Sequence, residues 1–176
     1  MDAKLINAKA QQIKVVATDV DGVLTEGFIF IRDDYEEPFG KFSILDGFAI
    51  GMARDCGLKT VVISGRKSLA TEARCHKLGM DLAYTGVSDK KAKMLEIATE
   101  LGVELNEIAY IGDDLSDWNV MQHCGLAVAV KDAHPYLQRH AHYVTSLNGG
   151  FGAVRELCDL LLISQQKFAT FTGSST

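Results

Sequence analysis

The chain predicts an α/β fold, a Rossmann-like parallel sheet flanked by helices on both faces. Three observations carry this expectation. Short apolar runs without strict alternation recur along the chain and end on polar residues, as strands buried on both faces do. Between them, apolar residues return at helical spacing. Glycines follow several of these helical stretches, where a left-handed residue would end them. Repeated alternation of the two element types is the signature of βα units.

Taken in order, residues 13–18 form the first run, closed by Asp19. Residues 60–63 form the second, closed by Ser64, and residues 108–111 the third, closed by Gly112 and Asp113. Residues 126–130 follow as a fourth. Ala92, Leu95, Ala98 and Leu101 mark one helix face, and Val154, Leu157, Leu160 and Leu161 another. Gly57, Gly79 and Gly102 stand where helices should stop.

Residues 27–44 break the alternation. Phe28, Ile29, Phe30 and Ile31 precede the turn-forming Asp33-Asp34, and Glu37-Pro38, Phe39 and Phe42 follow, which reads as a β-hairpin inserted after the first strand. Its apolar content exceeds what a solvated ribbon should carry. Residues 165–176 are polar and small apart from Phe168 and Phe171, and are expected to be mobile. No repeat, linker or second domain interrupts the chain, so residues 1–176 read as a single domain.

Composition narrows the function. The 176 residues fit one domain able to bury a core without staples. With 47% hydrophobic and 23% charged residues the chain is globular. Eighteen Lys and Arg against 23 Asp and Glu give a net charge of −5 without a basic block, which argues against a nucleic-acid partner. Cys56, Cys75, Cys124 and Cys158 lie far apart with no CxxC pair, so they read as free thiols in a reducing compartment. No apolar leader opens the sequence and no run approaches a bilayer span, so a soluble, cytoplasmic protein without membrane insertion is expected.

The chemistry lies in what closes the strands. In open α/β sheets ligands bind outside the carboxyl ends of the strands. Asp19, Asp21, Ser64, Asp113, Asp114 and Asp117 would all converge there. Five carboxylates together repel one another and raise some pKa values unless a cation neutralises them. Oxygen ligands without His or Cys favour Mg²⁺. Each fragment alone has an ordinary reading. Asp19-Val20-Asp21-Gly22 alone suits a βα turn, and Lys90 alone suits a solvated first turn of a helix.

Together they do not. Asp19-Val20-Asp21-Gly22-Val23-Leu24-Thr25, Ser64-Gly65-Arg66, Lys90 and Gly112-Asp113-Asp114-Leu115-Ser116-Asp117 resemble, in this order, the haloacid dehalogenase superfamily of aspartate-nucleophile phosphatases. The resemblance covers residues 13–161. The segments Asp46-Gly47-Phe48, Ser64-Gly65-Arg66-Lys67, Asp89-Lys90, 110–118, Ala133-His134-Pro135 and 149–156 are further similar to the family of 3-deoxy-D-manno-octulosonate 8-phosphate (KDO 8-phosphate) phosphatases. Those are small bacterial enzymes that act in making the inner sugar of lipopolysaccharide.

The resemblance implies a core without a cap domain and a set of roles. Asp19 is the nucleophile, and Asp21 the general acid and base. Mg²⁺ is held by the carboxylates of Asp19 and Asp113 and the backbone carbonyl of Asp21. Ser64 and Lys90 bind the phosphoryl oxygens, while Asp114 and Asp117 orient the metal's waters or Lys90. Arg66 and Arg74 are candidates for a substrate carboxylate, which a guanidinium fork matches; Arg74, further along its helix, also suits a surface salt bridge. Relatives acting on sialic-type nine-carbon sugar phosphates tend to be acidic where this chain has Arg66, which favours KDO 8-phosphate, although Lys77 would also suit the longer sugar. Asp46 and Gly47 either cap a helix or touch substrate. The resemblance further implies a homotetramer in which hairpins shield neighbouring sites.

Two other classes remain open from the sequence. A receiver-like phospho-acceptor domain would share the acidic pocket, but needs no acid/base partner for a leaving sugar. A regulatory module fused to a synthetase would need no complete motif set.

Overall fold

The computed structural model describes residues 3–31, 33 and 39–173. Six strands form one parallel sheet: β1 (Val15–Thr18), β2 (Lys59–Ile63), β3 (Leu82–Tyr84), β4 (Ile108–Gly112), β5 (Leu126–Ala129) and β6 (Tyr143–Val144). Their spatial order is β3-β2-β1-β4-β5-β6, so the chain winds one way from β1 and then the other way from β4. β1, β4 and β5 are buried along their whole length, which is why their sequences are apolar without alternation.

The helices are α1 (Ala3–Gln11), α2 (Ile44–Asp55), α3 (Leu69–Leu78), α4 (Lys90–Leu101), α5 (Leu115–Met121), α6 (Pro135–His140), α7 (Ala153–Ser164) and α8 (Ala169–Thr172). α7 packs on α1 and α2, while α5 packs on α4 and α6. α3 and α4 end on Gly79 and Gly102 in the left-handed region, with φ of 64° and 65°. The next amides close Schellman bonds, Met80 to Cys75 at 3.1 Å and Val103 to Ala98 at 3.0 Å. Among the described residues no helix is long and apolar enough to cross a membrane.

The register positions the site. Thr18, the last residue of β1, pairs with Ile111, one residue before the end of β4, and the Asp19 amide extends the ladder to the Ile111 carbonyl at 3.1 Å. Asp19 is thereby set beside Gly112 and Asp113. This is the place where strand order reverses and where such sheets open a crevice.

Two expectations change. The hairpin of residues 27–44 has no strand pairing among its described residues; Asp34, Glu37 and Pro38 lie outside them. Its arms nevertheless run side by side, with the Phe30 and Phe39 rings 5.2 Å apart. An isolated two-stranded ribbon is marginal, and these arms have no core beneath them: Phe28 is 74% exposed, and Phe30, Ile31 and Phe39 are exposed too. The segment expected as a mobile tail is tethered as far as residue 168. Gln165 donates to the carbonyls of Ala10 and Ile13 at 3.0 and 2.8 Å, Lys167 donates to that of Cys56 at 3.0 Å, and Phe168 packs on the core.

Candidate active site

A single lysine organises the strand ends. The Lys90 ammonium lies 2.8 Å from Asp19 Oδ1 and 2.8 Å from Asp117 Oδ1. All three groups are withdrawn from water: Asp19 is 6% exposed, Lys90 7% and Asp117 0%. Lys90 reaches them because it opens α4, whose N-terminus is capped by Asp89 accepting from the Ala92 amide at 3.0 Å. The solvated alternative for Lys90 fails because its partners lie across the strand ends, where the sequence distance of 27 residues to Asp117 hides them.

Asp117 is saturated. Its Oδ1 accepts from Lys90 and from the Tyr110 hydroxyl at 3.0 Å, and its Oδ2 from the amides of Asp113 at 3.1 Å and Asp114 at 3.4 Å. The space it fills exists because residue 112 is glycine; a Cβ there would lie 2.5 Å from the Asp117 Cβ. Asp114 is exposed and caps α5, accepting from the Leu115 amide at 2.7 Å.

Asp19, Asp113 and Asp117 each offer an oxygen within 4.8 Å of the others. With Asp117 already satisfied, Asp19 and Asp113 are the pair with acceptor capacity left for a cation. Their all-oxygen chemistry fits a hard divalent ion such as Mg²⁺. Asp113 lies against the backbone of Gly22, where a Cβ would overlap its carboxylate, and Gly22 has φ of +83°. Only glycine satisfies both demands.

The electrostatics of the bare site are those of crowded acids. Burial, then Asp117, pushes the Asp19 carboxyl up to about 7 against the pull of Lys90. Burial, then Asp117 and Asp19, pushes Asp113 up to about 8. Burial would lower Lys90, yet Asp117 and Asp19 outweigh it and its pKa is raised.

Asp21 and Arg66 form an ion pair at the rim. Arg66 Nε donates to Asp21 Oδ2 at 3.1 Å, and its Nη2 meets Asp21 Oδ1. Ser64 is buried behind Arg66, donating to its carbonyl at 3.1 Å and accepting from its amide at 3.2 Å. The open cleft is walled by Asp19, Asp21, Arg66, Lys90, Asp113 and Ser116, among others. A second, small cavity of about 60 Å³ adjoins it, sharing Asp21 and Arg66 and lined by aromatic side chains of the arms, including Phe30, Phe39 and Phe42.

The remaining sequence candidates do not line either space. Asp46 is 1% exposed, and its carboxylate is taken up by the amides of Gly152 at 3.2 Å and Arg155 at 2.8 Å. Gly47 admits the guanidinium of Arg74, which donates to the Ser43 carbonyl at 3.2 Å and lies over the Phe42 ring. Sequence reasoning missed the roles of Tyr110 and Gly22. Tyr110 reads as one more apolar strand residue, and the demand on Gly22 comes from a partner 91 positions away in the chain (113 − 22).

A buried aspartate at a strand end beside a sheet's switch point, with a lysine and a distal carboxylate converging on it, fits a phosphoryl-transfer hydrolase. Residues 84–157 match the family model of haloacid dehalogenase-like hydrolases. The chain is 44% identical over 168 residues to 3-deoxy-D-manno-octulosonate 8-phosphate phosphatase KdsC of Escherichia coli (strain K12), covering 96% of this chain and 89% of that one. The 3-deoxy-D-manno-octulosonate 8-phosphate phosphatase of Yersinia pestis superposes with a TM-score of 0.92 at 42% identity, covering 94% and 89% of the two chains. That of Moraxella catarrhalis, solved with magnesium, phosphate and KDO, superposes with a TM-score of 0.94 at 33% identity over 98% of both. The chain belongs to the family of KDO 8-phosphate phosphatases.

The raised carboxyls have a measurable consequence. Asp19 and Asp113 hold protons more tightly folded than unfolded, so their contribution to stability is full at low pH and is lost as pH rises through their folded values. A divalent cation needs them ionised, so its stabilisation grows in the same direction. The metal-free melting temperature is expected to fall between about pH 5.5 and about pH 8.5, and the increment from added Mg²⁺ to grow. Thermal melts at both pH values check this; an increment equal at both would contradict it.

Proposed function

We propose that this chain is a Mg²⁺-dependent phosphomonoesterase that hydrolyses KDO 8-phosphate to KDO and inorganic phosphate, in the cytoplasm, as a step in lipopolysaccharide precursor synthesis. The observation that carries this reading is Asp19, fixed at the end of β1 within reach of Lys90 and beside Asp113. A receiver-like role is disfavoured by Asp21, a second carboxylate two positions on that such a domain does not need.

Asp19 attacks phosphorus in line. The bond from phosphorus to the sugar oxygen breaks as that from phosphorus to the Asp19 carboxylate forms, and Asp21 protonates the departing oxygen. Asp21 then takes a proton from water, whose oxygen attacks phosphorus and releases phosphate from Asp19. Lys90 offsets the charge on Asp19 and the phosphoryl group, and Ser64, whose hydroxyl is taken up by the Arg66 backbone in the free site, would bond a phosphoryl oxygen by turning from it. Mg²⁺, held by Asp19, Asp113 and the Asp21 carbonyl, supplies charge neutralisation at the phosphoryl group when bound. Asp114 and Asp117 support the site from behind, as the α5 cap and as the anchor of Lys90.

Arg66 links chemistry to substrate choice. In the free site its Nε and Nη2 occupy both carboxylate oxygens of Asp21, the proposed general acid. A substrate carboxylate would compete for the same guanidinium and release Asp21 from it. Arg74, turned onto Ser43 and Phe42, would contribute only by reorienting.

The exposed aromatic arms support assembly. They border the second cavity yet stand open to solvent, so a homotetramer in which neighbouring arms cover each other's sites would bury them.

Three outcomes test these readings. Asp19→Asn should abolish turnover while the fold persists, and Asp21→Asn should slow it by roughly 10²-fold or more; full turnover by Asp19→Asn would remove the nucleophile. Arg66→Met should cost KDO 8-phosphate roughly 10- to 100-fold in kcat/KM, the worth of a charged bidentate partner, while p-nitrophenyl phosphate loses far less. Equal losses would place Arg66 in phosphate binding or folding. Phe30→Asp should yield monomers by sedimentation with weakened affinity for the sugar phosphate; a fully active monomer would refute shared sites.

A further inference from the structure

Helix α7 begins on Gly152, which has φ of 104° and no side chain with which to cap the helix. The cap comes from α2, 106 residues away in sequence: Asp46 accepts from the Gly152 amide at 3.2 Å and from the Arg155 amide at 2.8 Å. Arg155 is the third helical residue, the one an N-cap side chain normally serves. Asp46 is thus a tertiary N-cap, and an anion at a helix N-terminus is favoured by the helix dipole as well.

The loop that this cap secures leads to the catalytic centre. Residues 147–152 are anchored at their start by Glu156, which accepts from the amides of Ser146 at 2.8 Å and Leu147 at 3.2 Å, and at their end by Asp46. Between these anchors the Gly149 amide donates to Asp132 at 3.0 Å and the Gly150 amide to the Val23 carbonyl at 2.8 Å. Gly149 is seated on the carbonyl of Gly22, which a Cβ would overlap. Gly22 in turn is the residue against which Asp113 rests. Two contacts therefore separate the capped loop from the carboxylate expected to hold the cation.

We infer that Asp46 is a positioning residue for the phosphatase reaction: by capping α7 it presses the Gly149-Gly150 loop onto Gly22 and Val23, and so fixes the segment that carries Asp21 against Asp113. The inference rests on the proposed function for its substrate, not for its geometry. Asp46 is conveyed by α2, the helix that follows the aromatic arms, so it also ties the arm-bearing element to the nucleophile's loop.

The test is kinetic and thermodynamic. Asp46→Ala is expected to remain folded by circular dichroism and to lose roughly 10- to 100-fold in kcat with KM changed less than about twofold, the pattern of a misplaced reacting group. Its Mg²⁺ dissociation constant, measured by calorimetry on the full chain, should rise several-fold. Asp46→Asn, which keeps one accepting oxygen, should recover part of both losses. Gly149→Ala, which leaves the cap intact but forces Gly22 aside, should reproduce them. Asp46→Ala with native kcat and Mg²⁺ affinity overturns the inference whatever Gly149→Ala does. If Asp46→Ala fails to fold, unchanged kcat and Mg²⁺ affinity in Gly149→Ala overturns it instead. Each assay is run on KDO 8-phosphate and on p-nitrophenyl phosphate. An unmodified chain that cleaves only the latter defeats the substrate reading, and the role of Asp46 is then decided by p-nitrophenyl phosphate turnover and Mg²⁺ binding.

Discussion

The ammonium of Lys90, shared at 2.8 Å between Asp19 and Asp117, is the interaction on which the rest of the site depends. Three carboxyls and one lysine sit at the ends of two central strands, largely out of water. Coulomb repulsion among the acids would otherwise splay β1 and β4 apart at their carboxyl ends. Breaking such a buried pair from one side typically costs about 3–5 kcal/mol, because it strands a charge. Asp117 is held by four donors in addition to its burial, so it acts as a fixed counter-charge. That leaves Asp19 and Asp113 as the carboxylates of the cluster with acceptor capacity to spare.

The architecture explains why this crowding is tolerated. Parallel strands buried on both faces make a stiff frame, and the reversal of strand order opens a crevice without bending any strand. Close approaches that only glycine allows, Gly22 to Asp113 and Gly149 to Gly22, bring loops from three parts of the chain onto that crevice. The surroundings of the crevice are less finished. Exposed aromatic arms rim an open cleft with a small cavity beside it.

Much of this was legible in the sequence because it is local. Apolar runs ending in Asp19, Ser64 and Gly112-Asp113 gave the strands and the edge on which chemistry gathers. Gly79 and Gly102 gave helix ends. What stayed hidden depends on distant partners. Asp46 satisfies every sequence rule for a local cap or a ligand, and only the packing of α2 on α7 shows that it caps another helix. Tyr110 hides as one apolar residue in a buried strand, although its hydroxyl holds Asp117. β6, two residues long, lies below the length at which a run can be recognised. The arms read as a hairpin because two apolar segments flank turn residues, but pairing needs a surface to lean on.

The central claim is that Asp19, and no other carboxyl of the cluster, takes the phosphoryl group. Borohydride converts an aspartyl phosphate to homoserine, so quenching the enzyme in mid-turnover with borohydride and mapping its peptides by mass spectrometry tests the claim directly. Homoserine at position 19 alone is the predicted result. Homoserine at position 113, or at neither position during active turnover, would contradict the account.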